Sequence, residues 1–214
     1  MSRITVLGGT GYGGAAVVRE AARRGHSVTS YSRRAPEHPV DEVTYQTRSA
    51  LEPGVLDDVV ETSDVVFVAV SPRGDMAGRV EGLLADLIER AAGRGVRVGV
   101  LGGASSLLMS PGGPRLFDVH PPAAATADEV NTGMALLEAL RAAPADLDWF
   151  YVSPPRDFGA WVPAPSTGSY RLSDDVLLVD EHGGSTISAD DLALAVLDEI
   201  DQPRHTRSRF HAAH

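Results

Sequence analysis

The chain has 214 residues, 43% of them hydrophobic, enough to enclose one sizeable core. Its formal net charge of -10 and its pI near 5.1 argue against nucleic acid and anionic membranes as partners, because a polyanion is repelled over most of the surface. The absence of cysteine excludes disulfides, thiolate nucleophiles and cysteine-bound metals; all 19 basic residues are arginine, so lysine chemistry is excluded as well.

Core-type residues begin at Ile4, so no leader is expected, and no apolar run is long enough to span a bilayer. A cytoplasmic location is the expectation. Ile4 to Leu7 is a short apolar run stopped by glycine, as in a strand buried on both faces. Gly13 to Arg24 places Val17, Val18, Ala21 and Ala22 on one helical stripe, and Gly25 ends it. Ser27 to Ser32 predicts a second strand, Val43 to Tyr45 a third, Gly54 to Glu61 a short helix, and Asp64 to Val70 a fourth strand. Val80, Leu83, Leu84, Leu87, Ile88 and Ala91 follow the helical spacing, closed by Gly95 before a strand from Val96 to Leu101. Val130, Met134, Leu137 and Leu140 mark another helix, and Leu147 to Val152 a strand that Pro154 and Pro155 terminate. Gly168 to Leu172 and Val176 to Val179 read as a hairpin or extended pair. Ser188, with Asp191 three residues on, caps a final helix carrying Leu192, Val196 and Ile200.

This alternation predicts a Rossmann-type, doubly wound α/β fold: one domain over residues 1 to 214, with a mostly parallel sheet covered by helices on both faces. The elements from about 155 to 190 are expected on the substrate side. Ligands of such sheets bind at the carboxyl ends of the strands, here Gly8 to Gly14, Ser32 to Arg34, Ser71 to Asp75, Gly102 to Ser106 and Ser153 to Phe158.

The loop Gly8-Gly9-Thr10-Gly11-Tyr12-Gly13-Gly14 has the spacing G-x-x-G-x-x-G between the first strand and first helix. Gly8 permits the tight turn, Gly11 admits a pyrophosphate without an intervening Cβ, and Gly14 allows close helix packing. The helix N-terminus adds unpaired N–H groups and partial positive charge. An NAD enzyme would carry a carboxylate after the second strand for the ribose hydroxyls. This chain has Ser32-Arg33-Arg34, whose guanidinium groups suit a 2′-phosphate, so NADP is favoured over NAD.

The sequence resembles the atypical short-chain dehydrogenase/reductases of the NADH-flavin reductase-like, NAD(P)-binding family, the biliverdin reductase B and flavin reductase type. The resemblance covers nearly the whole chain. It rests on GGTGYGG, on VLGGASSL from Val100, on LDWFYVSPP from Leu147, on GSYRLSDDVLLVDEHGGSTIS from Gly168, and on RHTRSRF near the end. It implies that Gly8, Thr10, Gly11, Tyr12 and Gly13 hold the pyrophosphate and that Arg33 meets the 2′-phosphate. It also implies that Ser71 and the Ser153-Pro154 corner flank ribose and nicotinamide. Gly9, Ser32, Arg34, Val70 and Gly102 complete the expected cofactor contacts. Two departures stand out. Thr47-Arg48-Ser49 occupies the place where such proteins carry Gly-Asp to hold the adenine, and Ala124 to Asn131 lacks the tyrosine and lysine that some relatives retain.

A Tyr-x-x-x-Lys acid pair cannot exist without lysine, which disfavours ordinary carbonyl reduction and weakens an epimerase reading. Hydride transfer to a flavin or quinone needs mainly proximity and stacking, with the proton available from water. FMN or FAD would then be substrate rather than bound cofactor, with the ring placed among Ser105, Pro155, Phe158 and Trp161. The alternative is an NADP(H)-binding sensor without turnover. Gly103-Ala104-Ser105-Ser106-Leu107 lacks the second glycine of a nucleophile elbow, and no histidine pair has metal-ligand spacing. His211 and His214 are expected at a frayed, exposed terminus, and Asp57-Asp58 and Asp190-Asp191 as partners of helix dipoles. The Pro-, Gly- and Ala-rich stretch Pro111 to Thr126 reads as a loop able to close over the site or to serve as the contact of a homodimer.

Overall fold

The computed structural model describes all 214 residues. Its strands are β1 (Arg3–Leu7), β2 (Ser27–Ser32), β3 (Val43–Thr47), β4 (Val65–Val68), β5 (Arg97–Leu101), β6 (Trp149–Ser153), β7 (Arg171–Ser173) and β8 (Ser208–Ala213). They form one sheet in the order β3-β2-β1-β4-β5-β6-β8-β7, parallel throughout except for the β7–β8 pair. The helices are α1 (Tyr12–Arg23), α2 (Val55–Thr62), α3 (Val80–Ala91), α4 (Leu116–Val119), α5 (Ala127–Arg141) and α6 (Ala189–Asp201). None is long and apolar enough to cross a membrane.

The apolar runs are buried on both faces because successive side chains point to opposite sides of the sheet. In β4, Val66 and Val68 pack with α2, α3 and α5, while Val65 and Phe67 pack with α1 and α6. In β6, Trp149 and Tyr151 take the first layer and Phe150 and Val152 the second. Phe67, Phe150 and Phe210 stack across β4, β6 and β8 with centroid separations of 6.1 and 6.2 Å. Phe67 and Phe150 close over Gly99 of β5, where a Cβ would lie 2.3 Å from the Phe150 ring.

Two expectations fail at the C-terminal edge. Residues 176–179 form no strand with 168–172; β7 pairs antiparallel with β8 instead, and Val176 makes only an isolated bridge to Leu108. Nor is the terminus frayed, since β8 lies between β6 and β7 and His211 is fully buried, its Nδ1 bonded to the Ser153 carbonyl at 2.8 Å. Two flanking strands supply the backbone partners that a free terminus would lack. Burial holds the His211 imidazole below its ordinary pKa.

Asp191 likewise does more than face a helix dipole. Its own N–H is capped by Ser188 at 2.9 Å, as expected. Its buried carboxylate accepts from Ser166 Oγ (2.8 Å), Thr167 N–H (2.7 Å) and Gly168 N–H (2.9 Å), and pairs with His214 Nε2 at 2.7 Å. One side chain therefore fastens the 166–168 segment and the last residue to α6.

Candidate functional site

All the long loops at the carboxyl ends of β1 to β6 converge on one cavity of about 800 Å³, next to the switch point between β1 and β4. At its centre is the glycine turn. Gly8 has φ +88°, and a Cβ there would lie 2.6 Å from the Ala69 carbonyl oxygen, so both conformation and space demand glycine. The Gly11 N–H closes the turn on the Gly8 carbonyl at 3.0 Å. Gly14 lets α1 sit directly on that turn, since its Cβ would come within 2.3 Å of Gly8 O.

The start of α1 is chemically open. Gly11 provides no side-chain cap, and the first turn contains no acidic residue. The helix therefore presents unpaired N–H groups and its positive dipole end to the cavity. A Cβ on Gly11 would touch only Gly8 O, at 3.4 Å, so the space in front of this residue is free for a ligand. These features fit a pyrophosphate held on the turn, the group a nicotinamide dinucleotide would place there.

On one side of the turn, Ser32, Arg33, Arg48 and Ser49 line the cavity. Ser32 Oγ accepts the Thr10 N–H at 3.2 Å, fixing the turn to the end of β2. Arg33 reaches across to Asp75 at 2.9 Å. Elsewhere the lining is partly apolar, with Pro155, Phe158, Trp161 and Met134 among its walls. Phe158 lies 5.1 Å from the Tyr12 ring, and Trp161 is 68% exposed at the mouth. Arg73 stacks 5.4 Å above Trp161 and pairs with Glu129 of α5 at 2.7 Å, joining three separate loops and helices around the opening.

Four arginines (Arg33, Arg48, Arg73, Arg156) and a single carboxylate, Glu129, line the cavity. Each arginine is paired with a carboxylate, Asp75, Glu52, Glu129 and Asp157 respectively, and a guanidinium keeps further donors that can be offered to an anion.

The floor is held by Tyr151. Its hydroxyl accepts the Gly103 N–H at 3.0 Å and donates to the Gly133 carbonyl at 2.8 Å, and burial pushes its pKa up to about 12. A tyrosine so engaged is a brace rather than a proton donor. Gly102 is obligatory beside it, since a Cβ would fall 1.7 Å from the ring. The neighbouring Ser106 hydroxyl is bonded at 2.7 Å to the buried Arg209 of β8, which also holds Asp175.

Of the residues singled out from the sequence, Gly8, Thr10, Gly11, Tyr12, Gly13, Ser32, Arg33, Val70, Ser71, Gly102 and Pro154 line the cavity. So do Ser105, Pro155, Phe158 and Trp161. Three others lie off it. Gly9 faces the sheet, where a Cβ would be 2.4 Å from Ser30 Oγ. Arg34 is exposed outside the cavity, because it follows Arg33 where the chain has already left the strand. Ser153 is fully buried with its hydroxyl unpartnered, and its carbonyl is taken by His211. The loop 111–126 does reach the site, contributing Leu116, His120, Pro122 and Thr126. Glu129, Tyr151 and Met134 are site residues that the sequence did not single out, and Arg73 lay within the expected segment Ser71 to Asp75 without a role of its own. Nothing local marks Glu129 as the partner of Arg73.

A family model described as NAD(P)H-binding matches residues 8–203. The uncharacterised protein YwnB of Bacillus subtilis is 30% identical over 211 residues, covering 97% of this chain and 96% of its own. A Bacteroides thetaiotaomicron structure provisionally named an epimerase superposes with TM-score 0.84 at 30% identity, covering 99% of this chain and 96% of that one. A Streptococcus pneumoniae structure provisionally named an NADH-flavin reductase gives TM-score 0.84 at 28% identity, covering 100% and 99%. With the glycine turn, the open helix end and the arginine-lined cleft in place, the chain belongs to the NAD(P)H-binding family of Rossmann-fold proteins.

Proposed function

We propose that this protein is an NADPH-dependent reductase that passes hydride to a flat, conjugated acceptor such as a flavin or quinone. One observation carries the reading: the dinucleotide cleft continues without interruption into the chamber walled by Pro155, Phe158, Trp161 and Met134. A second planar ring can therefore lie against the nicotinamide end of the same cavity.

When bound, the nicotinamide supplies two electrons and a proton as hydride. The chain's own residues bind and orient. The glycine turn and the first turn of α1 take the pyrophosphate, and Arg33 exchanges Asp75 for the 2′-phosphate. Phe158, with Tyr12 against it, forms one wall for the rings, while Trp161 under Arg73 covers the mouth. The second proton of the acceptor comes from water, because the one deep tyrosine is committed to Gly103 and Gly133. The likeness to a protein provisionally named an NADH-flavin reductase points the same way.

The test is to mix the purified protein with NADPH and, separately, FMN, riboflavin and a soluble quinone, following the nicotinamide absorbance. Oxidation well above the protein-free rate is expected with at least one acceptor. Tight NADPH binding without oxidation by any of them would replace the reductase with a dinucleotide sensor.

A further inference from the structure

Arg48 stands where the resemblance leads one to expect a carboxylate for the adenine, and the sheet register shows what it can do instead. Ser32 of β2 pairs with Thr47 of β3 in parallel. Arg33 and Arg48 are therefore the first residues after two adjacent strands, whose backbones lie about 5 Å apart where they pair. Both residues line the cavity.

Arg48 is steadied from behind. Its Nε donates to Glu52 at 3.2 Å and its Nη1 lies 3.5 Å from Asp58. Glu52 also accepts the Ser49 N–H at 2.7 Å, which fixes the loop that carries the arginine. A guanidinium has five N–H donors in a planar fork, so these contacts leave donors for a ligand. Glu52 and Asp58 do not line the cavity, and neither does any other carboxylate at this end. Asp75, which holds Arg33 at 2.9 Å, also lies outside the lining, so an anion entering here meets two guanidinium groups once it displaces that exposed carboxylate.

We infer that Arg48 is a specificity-determining residue: together with Arg33 it forms a paired-guanidinium seat for a phosphate monoester on the adenine ribose. This rests on the dinucleotide reading above and extends it, since it makes the preference for a 2′-phosphate the work of two strand ends instead of one. Two forks side by side can each give a charge-assisted bond to the three oxygens of one monoester.

The experiment compares adenosine 2′,5′-bisphosphate with adenosine 5′-monophosphate, and NADPH with NADH, by calorimetry on the wild type, Arg33→Ala, Arg48→Ala and Arg48→Lys. Loss of one charged hydrogen-bonding partner should weaken the 2′-phosphorylated ligands about 10- to 100-fold in Arg48→Ala, as in Arg33→Ala. The ligands without the 2′-phosphate should change by less than about threefold, and Arg48→Lys should recover part of the loss by keeping the charge. An equal loss for both ligand classes in Arg48→Ala would overturn the inference and assign the residue to adenine. No loss for either would make it only a partner of Glu52 and Asp58. Melting curves of each variant exclude unfolding as the cause. Because bisphosphate binding involves no hydride, the outcome stands whether or not any acceptor is reduced.

Discussion

Replacing Gly11 by alanine separates phosphate binding from folding. Gly11 has φ -77° and ψ 169°, which alanine adopts without strain, and the added Cβ would touch only Gly8 O at 3.4 Å. Losing glycine's preference at a helix N-cap costs a few tenths to about 1 kcal/mol, and the reduced freedom of the unfolded chain returns a similar amount. Stability should therefore stay within about 1 kcal/mol of wild type, a melting shift of at most about 2–4 °C for a chain of this size. In the cleft the same methyl group stands where phosphate oxygens need to approach the N–H groups of α1 to about 2.9 Å. Two charged hydrogen bonds at about 1.5–3 kcal/mol each are then lost, so affinity for NADPH and NADH alike should fall at least about 100-fold. Gly14→Ala is the contrast: its Cβ would lie 2.3 Å from the Gly8 carbonyl oxygen, and the turn would have to open before the chain could fold. The assay is calorimetric titration beside thermal unfolding. A folded Gly11→Ala protein that binds both dinucleotides within about threefold of wild type would refute the placement of the pyrophosphate on this turn.

Other outcomes follow from the same geometry. Burial opposes ionisation of Asp191, but hydrogen bonds from Thr167, Ser166 and His214 outweigh it and hold the carboxyl at about 2 against an ordinary 3.8. Because the native pKa is the lower one, this stabilisation is complete above pH 4 and is lost as pH falls towards 2; it amounts to about 2 kcal/mol. Asp191→Asn should be destabilised by that amount at neutral pH and should show a flatter loss of stability between pH 4 and pH 2 in denaturant titrations; an unchanged acid limb would count against the role given to this carboxylate. Gly102→Ala drives a methyl group into the Tyr151 ring, 1.7 Å away, and breaks the bridge from Gly103 to Gly133. It should lower stability by about 3 kcal/mol and the melting temperature by about 6–12 °C, and a wild-type melting curve would show that the brace is dispensable. Trp161→Ala removes an exposed wall at the mouth of the cavity that makes no contact with Gly8 or Gly11. It should raise KM for the acceptor several-fold while leaving the NADPH dissociation constant unchanged, and a change confined to NADPH binding would place the acceptor elsewhere.

Local pattern alone determined a good deal of this protein. The short apolar runs of β1, β4, β5 and β6, the periodic stripe of α3 and the glycine spacing before α1 each report burial or backbone conformation within a few residues, which is the range over which side-chain period and φ preference act. The alternation of these elements was enough to place the glycine turn and the loops after β5 and β6 at the carboxyl ends of a parallel sheet. What only the tertiary structure decided depends on which strands become neighbours. The last residues read as a frayed, exposed end until β6 and β7 flank β8; then Arg209 turns inward to Ser106 and Asp175, and His211 to Ser153. Arg73 and Glu129 are 56 residues apart in sequence and meet only because β4 ends and α5 begins at the same cleft. Arg48 reads as a lost adenine ligand until the register sets it beside Arg33. In each case a polar residue carries no period of its own, and its role comes from a partner that the chain brings near only after the sheet has closed.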